Sequence, residues 1–268
     1  MEQKYGDWAR SRPLSPAVLA ELGALEGLSP PTEAFDPEGP WEHVYRIWAV
    51  AAAPARCHLG YLRIRRQPDR RASSVTLTVE KRLYLMGGDA YQTNAEIKCA
   101  DDLLGTPRSW RIESVIIGTD GKPVEATRVK ERVNLKNDKL RVNAGGRTMA
   151  RDAGSPLTTD WGLFDVVQRL PGEKTEALEF AMLEELDMLK QGQRLTYRGT
   201  GELALNGHTL RLACYEVLGR GILPYAYWVD QRRRLMMAIS HTRTYICDPD
   251  APARVEETRR ELAERGKR

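Results

Sequence analysis

From Trp41 onward, apolar residues recur at every second position, the period that sends successive side chains to opposite faces of a strand. Over Val44–Val50, Tyr45, Ile47 and Ala49 lie opposite Val44, Arg46, Trp48 and Val50, and Leu59–Arg65 sets Leu59 and Tyr61 against Leu62 and Ile64. Val75–Leu85 is the clearest strand: Val75, Leu77 and Val79 face one way, Thr76, Thr78 and Glu80 the other. Tyr91–Cys99, Trp110–Ile117, Thr127–Leu135 and Lys139–Asn143 continue the series. Gly87-Gly88-Asp89, Gly118-Thr119-Asp120-Gly121 and Lys136-Asn137-Asp138 turn the chain between strands. Strands resume at Arg194–Gly199, Glu202–Leu205, Thr209–Leu218, Pro224–Val229 and Leu235–Ile246, and Asn206-Gly207 is a two-residue hairpin signal.

Three stretches break this rhythm. Thr159-Asp160 can cap a short helix over Trp161–Leu170, which Pro171-Gly172 ends. Ala177–Leu183 suits helix or strand, while Met182, Leu183, Leu186 and Leu189 have helical spacing. Near the start, Ser15-Pro16 reads as a helix entry followed by Val18, Leu19, Leu22 and Leu25, and Gly27 and Pro30-Pro31 stop it. Residues 29–40 hold four prolines, which marks a linker or an extended strap. Ala253–Arg268 is helix-prone but almost wholly charged, so a solvated helix is expected.

Roughly a dozen strands in connected order predict a mainly β protein, since a long antiparallel sheet curls as it grows. The expected architecture is one open half-barrel over residues 41–247, with the Trp161 helix plugging or covering its concave side. An N-terminal arm (1–40) and a charged helical tail (248–268) flank it. Two β domains are the structural alternative.

The chain has 268 residues, 41% of them hydrophobic and 29% charged, enough to bury a core. An excess of 41 basic over 37 acidic residues gives +4, too little to call for nucleic acid, and none is expected. No run approaches the roughly 20 apolar residues of a membrane span. Met1-Glu2-Gln3-Lys4-Tyr5 lacks the basic start and apolar stretch of an export leader. Two settings stay open: periplasm or cell envelope if an export signal preceded this chain, cytoplasm otherwise.

Cys57, Cys99, Cys214 and Cys247 form no CxxC pair, so a zinc site has little support. In a meander, Cys57 and Cys99 fall at opposite ends of the sheet. With Leu235–Ile246 as one strand, Cys214 and Cys247 are offset by about nine residues, roughly 30 Å. A disulfide needs Cα atoms within about 7 Å. Four reduced, mostly buried thiols are expected, which leans toward a reducing compartment.

Three segments, in this order, carry a resemblance. Val44-Tyr45-Arg46-Ile47-Trp48 and Gly60-Tyr61-Leu62-Arg63-Ile64 form an opening hairpin, and Leu157–Phe164 is a helical insertion in mid-chain. Tyr227-Trp228-Val229-Asp230-Gln231-Arg232-Arg233-Arg234-Leu235 reads as a closing hairpin. Together they resemble the half-barrel of periplasmic lipoprotein carriers of the LolA/LolB type, and more closely the DUF3108-like bacterial envelope proteins. The resemblance covers residues 41–247 and implies an apolar chain held inside the half-barrel.

The strands carry many tyrosines and tryptophans, which pair an apolar body with a polar handle and suit a cavity that is not dry. Tyr45, Trp48, Trp110, Tyr197, Tyr215 and Tyr227 are the candidate ligand-binding residues for an apolar or amphipathic ligand such as a lipid or acyl chain. Ordinary core packing is the competing reading. An enzymatic alternative uses His241, Arg243 and Tyr227 on an acidic sugar or similar molecule. Strand alternation would set His241, Arg243 and Tyr245 on one face, and the plainer reading makes that face the outside. Cys57-His58 cannot pair as a catalytic dyad within one strand, and His43 and His208 are expected to be solvated. The histidines show no metal spacing, and the glycine pairs are too short for a phosphate loop, so no metal or cofactor is expected. Arg63-Arg65-Arg66 with Arg70-Arg71, and Arg232-Arg233-Arg234, read as solvated turns that could touch an anionic membrane surface. A third alternative is a scaffold or assembly subunit docking a protein partner through residues 1–40.

Overall fold

The computed structural model describes residues 14–49, 58–85, 87–174 and 176–265. The first half of the sheet is β1 (Trp41–Ala49), β2 (His58–Asp69), β3 (Ser74–Tyr84), β4 (Ala90–Ala100), β5 (Pro107–Ile117), β6 (Pro123–Lys136), β7 (Lys139–Ala144) and β8 (Arg147–Asp152). The second half is β9 (Leu157–Thr159), β10 (Leu178–Glu184), β11 (Met188–Leu205), β12 (His208–Gly219), β13 (Tyr225–Asp230), β14 (Leu235–Ser240) and β15 (Arg243–Cys247). Helices α1 (Pro16–Glu21), α2 (Asp160–Arg169) and α3 (Ala251–Arg265) complete the fold.

All strands join one sheet in the order β8 to β1, then β15 down to β9. Pairing of β1 with β15 closes the meander in the middle, so β8 and β9 are its two unpaired edges. Every ladder is antiparallel except β9–β10. The short Ala153–Pro156 link carries the chain from one edge to the other, which bends the sheet round without closing it. Gly60 serves this tight packing, because a Cβ there would lie 1.8 Å from the Arg82 carbonyl oxygen.

The meander expected from the alternation is therefore present, with three differences. The predicted last strand is two, β14 and β15, with His241 and Thr242 in the turn between them. The helical spacing around Leu186 is a hairpin: Leu178–Glu184 and Met188–Leu205 pair, and Leu186 is buried in the turn. Arg147–Asp152 and Leu157–Thr159 are strands that the alternation leaves unmarked.

The hairpin at His241 changes the cysteine geometry. Cys214 pairs with Trp228, Trp228 with Met237, and Met237 with Ile246. Cys214 is thus nearly level with Cys247 but three strands away, about 14 Å at 4.8 Å per strand. The expected large offset along the strands is wrong, yet the lateral distance still rules out a bridge. Cys99 and Cys247 are buried and unbridged, and burial pushes both thiols up to about 12. Cys57 lies outside the described residues.

The concave face holds α2. Thr159 caps it, its Oγ1 accepting from the Gly162 N–H at 2.7 Å. Residues Trp161 through Gln168 are all buried. Arg66, 1% exposed, reaches from β2 to Asp165 at 2.8 Å, and Arg169 meets the same carboxylate at 2.9 Å. Arg66 is therefore a buried anchor and not a solvated turn residue. In the Arg232-Arg233-Arg234 tip, Arg232 and Arg233 are exposed as expected and Arg234 is buried; Arg233 still donates to the Gln168 and Arg169 carbonyls at the end of α2. Arg232 and Arg234 donate to the Glu33 carbonyl, and Arg234 lies 5.2 Å from the Phe35 ring.

The N-terminal segment covers the opposite face. Trp228 Nε1 donates to the Leu14 carbonyl at 3.1 Å, and Arg46 to that of Ala24 at 2.6 Å. Leu14, Leu19, Leu25 and Leu28 belong to the same core as the strands. The start of α3 is also packed: Ala251 and Val255 are fully buried, and Val255 sits against Tyr84 and Ala90. The expectation of a wholly solvated tail fails because these two apolar residues, four apart, share one helix face.

Candidate functional site

Two concavities stand out in size. The larger, about 780 Å³, is a trough on the outer face of β1–β7. Its Arg63, Arg65 and Arg111 are paired with Glu80, Glu42 and Glu96 at 2.7, 2.5 and 2.7 Å. Such exposed cross-strand pairs stabilise little, and they leave few charges free for a ligand.

The second, about 450 Å³, opens at the N-terminus of α2, within the size range of small-molecule sites. Its apolar lining is Trp161 and Phe164 from the helix, Met182 and Val217 from β10 and β12, and Ile222 and Leu223 from the β12–β13 loop. Its polar lining includes Asp160, Glu185, Tyr225, Tyr245, Ser240 and Arg243.

The sequence builds this lining by cross-strand register. Tyr197 pairs with Tyr215, Tyr215 with Tyr227, Tyr227 with Ala238, and Ala238 with Tyr245. Four tyrosines thus share the inner face on one level. Phe164 projects from α2 into this row, with edge-on contacts to Tyr45 at 5.0 Å, Tyr245 at 5.4 Å and Tyr227 at 6.0 Å.

Asp160 is half-buried at the rim. Burial and the neighbouring Glu185 charge push its carboxyl up to about 7, against the pull of Lys81 and of the Glu185 and Trp161 N–H groups. Burial likewise raises the Tyr227 and Tyr225 hydroxyls and takes Tyr245 to about 12. At neutral pH the cavity therefore offers neutral phenols, a carboxyl near its midpoint and the Arg243 cation.

The six predicted ligand-binding aromatics separate. Tyr227 lines the cavity. Tyr45 is fully buried beneath Phe164. Tyr215 is also buried, and its hydroxyl accepts from the Gly172 N–H at 3.0 Å, while Tyr197 packs on its ring at 5.6 Å. Trp110 is on the inner face, level with Ile97, Leu77 and Arg66, toward the other end of α2. Trp48, in register with Thr244, alternates with the inward Tyr45 and so is on the outer face.

The catalytic candidates separate too. Arg243 and Tyr227 meet in the cavity, whereas His241 is exposed in the β14–β15 turn and does not line it. The plainer reading of an outward Arg243 and Tyr245 is also corrected, because the turn at His241 resets the alternation. His208 is exposed, but His43 is buried and stacked on Trp41 at 4.7 Å, and burial lowers it to about 4. Asp160 and Glu185 were missed. Asp160 was legible only as a helix cap, and Glu185 sits in a turn read as helix.

Asp160 and His43 give opposite pH signatures. The folded Asp160 holds a proton that the unfolded chain releases between 3.8 and about 7, so its contribution weakens as pH rises through that window. His43 does the reverse, costing stability as pH falls from 6.5 toward about 4. Relative to wild type, Asp160→Asn should gain stability from pH 4 to 7, with a slope of at most about 1.4 kcal/mol per pH unit, trimmed by solvent at the rim. His43→Gln should gain it as pH falls below 6.5. Urea melts at half-unit pH steps check this, and parallel difference curves would refute the assignment.

No protein-family model matches the chain, and no curated protein matches it either. Among solved structures it is similar to the beta-barrel-like protein of domain of unknown function DUF1849 from Brucella abortus. The TM-score is 0.52 at 8% identity, over 78% of this chain and 96% of that one. A DUF1089 family protein from Pseudomonas aeruginosa superposes more loosely, with a TM-score of 0.35 at 13% identity, over 79% and 95%. The first likeness establishes the class of fold: a barrel-like protein built on a long curved antiparallel sheet.

Proposed function

We propose that this protein binds a small amphipathic ligand, an acyl chain with a polar head, in the cavity at the α2 N-terminus. This is the carrier role that the likeness to LolA/LolB-type half-barrels implies. One observation carries it: the roughly 450 Å³ cavity is lined both by apolar side chains, among them Trp161, Phe164, Met182 and Leu223, and by polar ones, among them Asp160, Tyr225 and Arg243. Because α2 fills much of the concave face beside this cavity, the bound chain is short or partly exposed at the mouth.

Leu223, 49% exposed on the cavity wall, permits a clean test. Decanol should bind wild type saturably by isothermal titration calorimetry, with a negative heat-capacity change. Leu223→Trp should weaken it at least tenfold with an unchanged far-UV spectrum. Failure of wild type to take up either decanol or decanoate ends this reading.

The raised Asp160 carboxyl beside Tyr225 and Tyr245 favours a second reading, acid–base chemistry on the bound molecule. In that version Asp160, and not His241, moves the proton.

A further inference from the structure

The cation of the cavity is not vacant. Glu185, at the tip of the β10–β11 hairpin, turns its carboxylate to Arg243 at 3.6 Å, and the same Oε1 accepts from the Lys81 ammonium. Lys81 comes from β3 and Arg243 from β15, so the glutamate bridges the two halves of the sheet across the mouth of the concavity. Lys81 is 1% exposed, whereas Glu185 is 42% exposed. A nearly buried ammonium is thus neutralised by an acid that solvent can reach.

The segment carrying the acid is held in an unfavourable backbone. Glu185 and Leu186 have φ of +52° and +62°, the left-handed region that costs non-glycine residues about 1 kcal/mol or more each. The same turn is a partition. A cavity of about 270 Å³, walled by Thr93 and Ser114, lies on its other side, and both cavities share Trp161, Glu184, Glu185 and Met188.

We propose that Glu185 is an internal stand-in for the ligand's own head group, and that this site takes an anionic amphipath: a carboxylate on an apolar chain. The ligand carboxylate replaces that of Glu185 between Lys81 and Arg243. The exchange keeps a carboxylate between Lys81 and Arg243, whereas a neutral or cationic head group there would leave the buried Lys81 with only the Asp160 carboxyl nearby. Release of Glu185 frees the hairpin tip, and movement of that tip joins the two cavities into one groove for a longer chain. The inference rests on the reading of the cavity as an amphipath site.

Calorimetry with decanoate, decanol and decyltrimethylammonium at pH 8, all below micelle formation, separates the two claims. Glu185→Gln should tighten decanoate about tenfold relative to decanol. Lys81→Met in the Glu185→Gln background should abolish the gain. In wild type, hydrogen exchange of residues 184–188 should quicken with saturating decanoate and not with decanol, a measurement that needs no variant to fold. Decanol binding with no effect of Glu185→Gln on decanoate, slowed exchange of the turn with decanoate, or a preference for the ammonium would overturn the stand-in and leave the cavity reading intact. Failure of both decanol and decanoate would overturn the cavity reading itself.

Discussion

Asp165→Ala should destabilise the protein by about 3–5 kcal/mol, because it strands the Arg66 guanidinium inside the sheet. Arg66 is 1% exposed and Asp165 3%, at 2.8 Å, so water cannot replace the lost carboxylate. The other acids paired with Arg66, Asp101 at 3.6 Å and Glu38 at 3.7 Å, are 39% and 55% exposed and screened by solvent, so they and the Glu38 and Gly39 carbonyls replace the buried carboxylate only in part. Arg169 loses the same partner, and its hold on the Asp102 and Leu103 carbonyls then rests on weaker bonds. Against a total stability of about 5–15 kcal/mol, this is a large fraction. Urea melts of Asp165→Ala, Arg66→Met and Asp165→Leu/Arg66→Met test it. The double variant should recover part of the loss, since it removes the Arg66 charge while Arg169 stays without its carboxylate partner. A double variant as unstable as the sum of the singles would mean that packing, not charge, holds α2.

Phe164→Ala should cost a similar 3–5 kcal/mol and also change the cavity. Phe164 is 3% exposed and meets three tyrosine rings within 6.0 Å. Its loss removes those contacts and leaves a void that the stiff sheet around it cannot close. Phe164 is itself a cavity wall, so the void opens into the proposed site. The variant should melt at lower urea yet accept a bulkier alcohol than wild type, such as a branched decanol. Equal stability with unchanged ligand size would show that the helix is held elsewhere.

Much of this fold was legible along the chain. Alternation in Val75–Leu85 marks β3 correctly because one face meets the core and the other meets water, and that contrast is written into the residues. Thr159-Asp160 and Pro171-Gly172 bracket α2 for an equally local reason, the capping of a helix start and the breaking of its end. Fully buried segments lack the contrast. In β14 every residue is buried, so no alternation betrays the turn at His241 that follows it, and the register of β15 is lost. Leu186 mimics a helical position only because a hairpin turn folds it inward.

The site was the less legible part. Local sequence determined most of the strands, the central helix and the aromatic-rich segments, whereas the pairing of β1 with β15 that orders the sheet is tertiary. Only the tertiary structure decided which tyrosines meet the cavity, because that depends on register summed across β11 to β15. It alone turned Arg66 and Arg234 from apparent surface residues into buried anchors, since a charge pairs with whatever the fold brings beside it. Lys81, Glu185 and Arg243 are far apart in the chain and share no motif. Their meeting across the mouth of the sheet follows from its curvature, a property of the whole sheet and of no single strand.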